Sequence, residues 1–186
     1  MKKSKTMPLK VVAMLAILTA ISIILGKYLA IRGGDVLRFS FENLPIIFAG
    51  MVFGPIAGIL VGVVADLIGC LLVGYAINPI VTVGGAVIGL LSGLLSYLFK
   101  RLPKIHLAVR VFVTVLISHL VGSVVIKTFG LAVFYDMPLF ILMLWRLLNY
   151  VIVGVLEAVV LFFLMKNKAI NTQIAKYSNF NRKRSK

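Results

Sequence analysis

Between Asn43 and Phe99 the chain runs for 57 residues with a single charged side chain, Asp66. As one continuous helix this stretch would be about 85 Å long at a rise of 1.5 Å per residue, nearly three times the ~30 Å hydrocarbon core of a bilayer. It therefore has to fold back on itself inside a membrane. Gly54-Pro55 and, after Gly74, Asn78-Pro79 are the places where it can do so, because Gly and Pro punctuate helices. They divide the stretch into helices over 43–53, 55–74 and 79–99, the first being short, tilted or begun inside the preceding loop.

Composition points the same way. Of the 186 residues 61% are apolar and 13% charged, whereas a soluble domain is about half apolar and a quarter charged. The charge is lopsided, with 20 Lys+Arg against 5 Asp+Glu and a formal net charge of +15. On one exposed face such a surplus would suggest nucleic acid. Here fifteen of the bases fall, without any acid, into three clusters between apolar runs: Lys2, Lys3, Lys5 and Lys10; Lys100, Arg101, Lys104 and Arg110; and Lys166, Lys168, Lys176, Arg182, Lys183, Arg184 and Lys186. Cytoplasmic loops of membrane proteins carry this excess. All three clusters are expected in the cytoplasm, and no nucleic-acid partner is expected.

Parity then fixes the number of spans. If Met1–Lys10 and Lys100–Arg110 share a side, the helices between them are even in number. The run from Val11 to Gly26 with its flank to Ile31, plus the three segments above, makes four. Val111–Leu131 and Pro138–Met165 add two. The expected fold is all-α: an integral, multi-pass cell-membrane protein with six transmembrane helices and cytoplasmic termini. It has a basic N-terminus at 1–10, a membrane domain at 11–166 and a basic tail at 167–186. Val11–Gly26 runs into Lys27 without a small-x-small cleavage pattern, so it reads as a retained helix. Cys70, the single cysteine, excludes an internal disulfide and a cysteine-based zinc site. No metal site is expected.

Small residues recur at helical spacing. Gly54, Gly58 and Gly62, and again Gly85, Gly89 and Gly93, are four apart, the pattern that lets helix backbones approach closely in lipid. Ala13, Ala16 and Ala20 form a comparable face on the first helix, which either packs inward or meets another protein.

The ten charges outside the clusters are Lys27, Arg32, Arg38, Lys127 and Arg146 with Asp35, Glu42, Asp66, Asp136 and Glu157. In the six-span arrangement most of them gather toward the external side, where the positive-inside rule disfavours bases. An ionisable group within a span costs roughly 2.5–3.5 kcal/mol on insertion scales and marks a functional position by default. Asp66, Lys127 and Arg146 are the leading candidates. Arg146, Asn149, Tyr150, Val153 and Glu157 share one face of the last helix. Simpler readings stand beside these. Arg146 can snorkel to the interface beside Trp145, Asp66 can pair with Lys127 or Arg146, His119 can be a satisfied core histidine, and Glu157 can make an interhelical hydrogen bond.

No phosphate-binding loop, H-E-x-x-H motif or serine, histidine and acid arrangement is present, so no catalytic residue is assigned and the protein is not expected to be an enzyme. No repeated polar ring suggests a channel. What fits is one outward-opening polar pocket lined by bases and by the aromatics Tyr28, Phe39, Phe41, Tyr75, Phe134, Tyr135 and Tyr150, for an aromatic, anionic ligand.

The string Leu37-Arg38-Phe39-Ser40-Phe41-Glu42-Asn43-Leu44-Pro45, followed by Gly54-Pro55 and Ala65-Asp66-Leu67-Ile68-Gly69, together with the six-helix layout, the basic termini and Ala16-Ile17-Leu18-Thr19-Ala20, resembles the substrate-binding S component of an energy-coupling-factor (ECF) vitamin transporter, most of all the folate-specific one. The resemblance spans residues 8–166 and is most specific from Arg38 to Gly69. It implies a vitamin site near the external surface, a lid formed by the loop after the first helix, and an alanine face docked on a transmembrane coupling subunit that carries two cytoplasmic ATPases. The whole subunit would topple in the membrane to deliver its ligand. No cofactor is implied in this chain, since ATP is used by the separate subunits.

Folate chemistry matches particular residues. The amino group and ring N–H of a pterin form a paired donor edge that a carboxylate accepts, the role expected for Asp66. The two carboxylates of the glutamate tail favour Arg or Lys partners, for which Arg38, Lys127 and Arg146 are placed. Phe39, Tyr75 and Tyr150 are expected as aromatic walls, with Asn78 or Asn149 supplying hydrogen bonds. Riboflavin or another vitamin, or a membrane scaffold whose charges only join helices, are the alternatives; cationic thiamin would want acids.

Overall fold

The computed structural model describes residues 7–33, 37–102, 105–168, 170 and 172, with the backbone alone for 32, 33, 37 and 38. Lys2, Lys3, Lys5, Asp35, Lys104, Lys176, Arg182, Lys183, Arg184 and Lys186 lie outside them. Among the described residues six helical rods follow one another: α1 (Leu9–Tyr28), α2 (Asn43–Phe53), α3 (Pro55–Val73), α4 (Pro79–Lys100), α5 (Leu107–Tyr135) and α6 (Leu139–Lys166). All but α2 are long and apolar enough to cross a membrane. With 11 residues, α2 spans only about 16 Å. Among the described residues the fold is all-α apart from a small hairpin in the connection between α1 and α2. There β1 (Ile31–Gly33) pairs antiparallel with β2 (Leu37–Phe39), with Arg32 opposite Arg38.

The breaks fall where proline and glycine predict them. Gly54 alone joins α2 to α3, at φ 100° and ψ 174°, a conformation essentially confined to glycine. Pro55 then starts α3, where a missing N–H removes nothing from the ladder. Asn78 caps α4, its Oδ1 accepting from the N–H groups of Ile80 and Val81 at 3.0 and 3.3 Å.

The glycine rows meet one another. Gly58 and Gly62 of α3 face Gly89 and Gly85 of α4, and a Cβ at Gly58 or Gly89 would overlap the backbone opposite. Gly84 of α4 and Gly122 of α5 are opposed in the same way, each within 2.9 Å of the other's carbonyl oxygen once a Cβ is added. Helices α2 to α5 are thus held by backbone proximity. Around this contact Ile47, Val61, Ile88, Val111, Val115 and Leu161 form a fully buried core. The outer faces of the helices carry exposed Leu, Ile, Val and Phe, as expected of lipid-facing surfaces. Along α1 the inward stripe is Val11, Leu15, Thr19, Ser22 and Ile23. Ala13, Ala16 and Ala20 lie off that stripe and are exposed.

Candidate functional site

Alternation of the six rods brings the C-terminal ends of α1, α3 and α5 together with the N-terminal ends of α2, α4 and α6. The basic residues Lys10, Lys100, Arg101, Arg110 and Lys166 lie at the opposite end. The first of these ends encloses a cavity of about 520 Å³, inside the 300–1,000 Å³ common for small-molecule sites. Three cations (Lys27, Lys127 and Arg146) and two carboxylates (Glu42 and Asp66) line it.

One wall is acidic and belongs to α3 and α4. Asp66 accepts the Thr82 hydroxyl at 2.6 Å and the Cys70 thiol at 3.9 Å. Its partners are neutral, and among the described residues it forms no salt bridge with Lys127 or Arg146. That corrects the simpler reading of Asp66 as an internal ion-pair partner. Lys27, from the π-helical last turn of α1 (Ile24–Tyr28), donates to Cys70 Sγ at 3.6 Å and sits 5.7 Å from the centre of the Tyr75 ring, within cation–π range.

The opposite wall comes from α6. Arg146 is half-buried; one guanidinium nitrogen donates to Tyr150 Oη at 3.2 Å and the group lies 5.5 Å from that ring's centre. Its Nε is buried without a hydrogen-bond partner, and no carboxylate pairs with it among the described residues. Arg146 therefore turns toward the cavity. Asn149 and Tyr150 line the same wall and are buried. Strand β2 packs against α6, and Ser40 just after it borders the cavity.

Lys127 closes the floor. It is 4% exposed, donates to Glu42 Oε1 at 2.9 Å and to Asn43 Oδ1 at 3.2 Å. A buried ammonium is tolerable in a membrane only with such a partner, and Glu42 supplies it from the start of α2.

Of the residues the sequence singled out, Asp66, Tyr75, Lys127, Arg146, Asn149 and Tyr150 come together around this one space. Asn78 and Phe39 do not border it. Asn78 is 4% exposed, and beyond capping α4 it donates to the Gly130 carbonyl at 2.8 Å, tying α4 to α5. The backbone places Arg38 in β2, and its side chain lies outside what the structure describes. Tyr135, expected among the pocket aromatics, borders the space, whereas Tyr28, Phe41 and Phe134 do not; sequence reasoning did not assign Lys27, Ser40 or Glu42 to the site. Lys27 and Glu42 carried a usable signal, since each is an ionisable residue at the edge of a span. Glu157 makes the expected interhelical bond, with His119 Nε2 at 2.6 Å.

Comparison with known proteins decides the family. Residues 6–171 match the family model described as ECF-type riboflavin transporter, S component. The chain belongs to this family of ECF S components. It is accordingly a membrane protein, not an enzyme, and the substrate-binding subunit of a transporter. Three solved structures are similar to this S component in fold. FolT bound with folic acid gives a TM-score of 0.69 at 23% identity, covering 87% of this chain and 95% of that one. The S component of a bacterial ECF transporter gives 0.64 at 22%, covering 88% and 97%. The S component for biotin from an ECF-type ABC transporter gives 0.60 at 20%, covering 85% and 92%. At these identities the likeness speaks for the fold alone. No curated protein matches the chain.

Proposed function

We propose that this S component captures folate from the external side and passes it inward. The observation that carries the reading is the separation of unlike charges in one cavity. Asp66 and Arg146 face the same space from α3 and α6, and neither satisfies the other. A ligand with a donor edge at one end and carboxylates at the other would complete both. A pterin offers its amino and ring N–H groups to Asp66. The glutamate tail offers carboxylates to Arg146, Lys127 and Lys27, for which charge-assisted, bidentate bonding to arginine is the strong case. Tyr75, Tyr135 and Tyr150 supply aromatic surface for the rings between. The positive-inside rule supports an outward-facing cavity, since Lys10, Lys100 and Lys166 lie at the opposite end.

Titration of the purified protein with folic acid tests the reading. Tight binding that Asp66→Ala and Arg146→Ala each weaken by roughly tenfold or more supports it, and no binding rejects it. A second reading, riboflavin, is favoured by the description of the matching family model. Riboflavin carries no carboxylate, so its binding would survive Arg146→Ala.

Delivery requires a partner. The exposed Ala13, Ala16 and Ala20 face is proposed to dock on a transmembrane coupling subunit served by two cytoplasmic ATPases. Ala16→Trp should leave folate binding intact and abolish uptake by the assembled transporter. Undiminished uptake would remove that face from consideration.

A further inference from the structure

Beneath the cavity, hydrogen bonds run without a gap from its floor to a buried acid on α6. Lys127 Nζ donates to Asn43 Oδ1 at 3.2 Å, Asn43 Nδ2 donates to Ser123 Oγ at 3.3 Å, Ser123 Oγ lies 3.3 Å from His119 Nδ1, and His119 Nε2 lies 2.6 Å from Glu157 Oε2. Asn43, Ser123 and Glu157 are fully buried, and His119 is 2% exposed. With Glu157 ionised, its oxygens only accept, which assigns the ring proton to Nε2 and leaves Nδ1 to accept the Ser123 hydroxyl. Every donor then points the same way, from the ammonium of Lys127 toward the carboxylate of Glu157. The amide, hydroxyl and imidazole dipoles lie along the field between the two charges, an arrangement in which neighbouring bonds strengthen one another.

The same histidine reaches the other cationic wall. Its ring stacks on Tyr150 at 4.9 Å between centres and 28° between planes, and Tyr150 accepts from Arg146 at 3.2 Å. His119, Ser123 and Lys127 all belong to one π-helical segment, His119–Lys127; such segments are uncommon and concentrate at functional sites. Packing alone does not account for Glu157. Its Oε1 is buried without a partner, and apolar replacement of a buried ionic group is often neutral or stabilising.

The geometry points to His119 and Glu157 as positioning residues for ligand recognition: the pair holds Lys127 through Asn43 and Ser123, and Arg146 through Tyr150, so that both cations present to one anionic ligand. This rests on the reading that the cavity takes an anion. Neither residue borders the cavity, so they act on a ligand only through these intermediaries.

The test uses the full chain in detergent or nanodiscs. Ligand-free protein labelled with ¹⁵N-histidine reports the ring nitrogens of His119, with His106 as internal reference. Lys127→Met and Glu157→Gln should each shift the His119 signals and leave those of His106 in place; unmoved His119 signals in Lys127→Met overturn the chain of contacts. Glu157→Leu, apolar and of similar size, should weaken folic acid binding by roughly tenfold to a hundredfold, the loss of one hydrogen bond to a charged group. It should leave binding of 6-hydroxymethylpterin, which has no carboxylate, within about twofold, and Glu157→Gln, which keeps an acceptor, should recover part of the loss. Equal weakening of both ligands, or a Glu157→Leu protein that binds folic acid like the wild type, overturns the assignment. A wild type that binds no folic acid but still shows the histidine shifts retires the folate reading and supports the relay of contacts.

Discussion

Two interfaces hold this S component together by opposite means. Between α3 and α4 the contact is made by what is missing: Gly58 lies on Gly89 and Gly62 on Gly85, and the backbones touch. Between α5 and α6 it is made by polar side chains, with His119 bonded to Glu157 and stacked on Tyr150. Gly154 on α6 illustrates the contrast, because a Cβ there would meet only His119 Cδ2 at 3.6 Å and Val115 Cγ1 at 3.8 Å, ordinary packing distances. Lipid gives no hydrophobic drive for helices to associate, so the bilayer leaves van der Waals contact and hydrogen bonding to do it. The first kind fixes geometry whatever the charge state. The second ties helix position to the chemistry of the groups that line the cavity.

Substitutions separate the two. Gly89→Val places a branched side chain against the Gly58 backbone and should give no folded protein by size-exclusion chromatography. Gly85→Ala should fold, since its Cβ would lie 3.3 Å from the Gly62 carbonyl oxygen and needs only a small adjustment. If Gly89→Val folds normally, the seam is not what sets the helix spacing. On the α6 side, Arg146→Ala should keep its thermal transition within a few degrees while losing about tenfold to a hundredfold in folic acid affinity, from the ~1.5–3 kcal/mol of a charged hydrogen bond. An unchanged affinity would detach that wall from recognition. Asn78→Ala removes a cap and a link to Gly130, and should lower stability by about 1 kcal/mol in denaturation, with ligand affinity unaltered. The smallest change is Gly154→Ala, which should be neutral or raise stability by up to ~1 kcal/mol through helix propensity. A marked loss there would mean that the polar interface is packed as closely as the glycine seam.

Much of this fold was legible in the residues because the membrane leaves few choices. Gly54-Pro55 and Asn78-Pro79 break an otherwise unbroken apolar run, and each does so in the structure. The hairpin around β1 and β2 was not foreseen, since three-residue strands carry no periodicity. At the site, Asp66, Lys127 and Arg146 announced themselves as ionisable groups within spans. Lys27, at the edge of a span, gave a weaker signal of the same kind, and its proximity to Cys70, 43 positions away, arises from helix packing that no local pattern encodes. Asn78 shows the reverse problem. A polar residue before Pro at a helix start is as good a cap as a ligand contact, and its oxygen and nitrogen are both occupied by backbone.

The single residue between α2 and α3 has a mechanical corollary. With Gly54 as a one-residue joint and glycine contacts on both sides of α4, helices α2 to α5 form one stiff block carrying Glu42, Asp66 and Lys127. Arg146, Asn149 and Tyr150 ride on α6, outside the glycine seams. A ligand that reaches from Asp66 to Arg146 then serves as a strut between block and lever. A molecule too short to reach both would leave the lever unbraced, so the length of the ligand, as well as its charge, becomes a quantity the protein can measure.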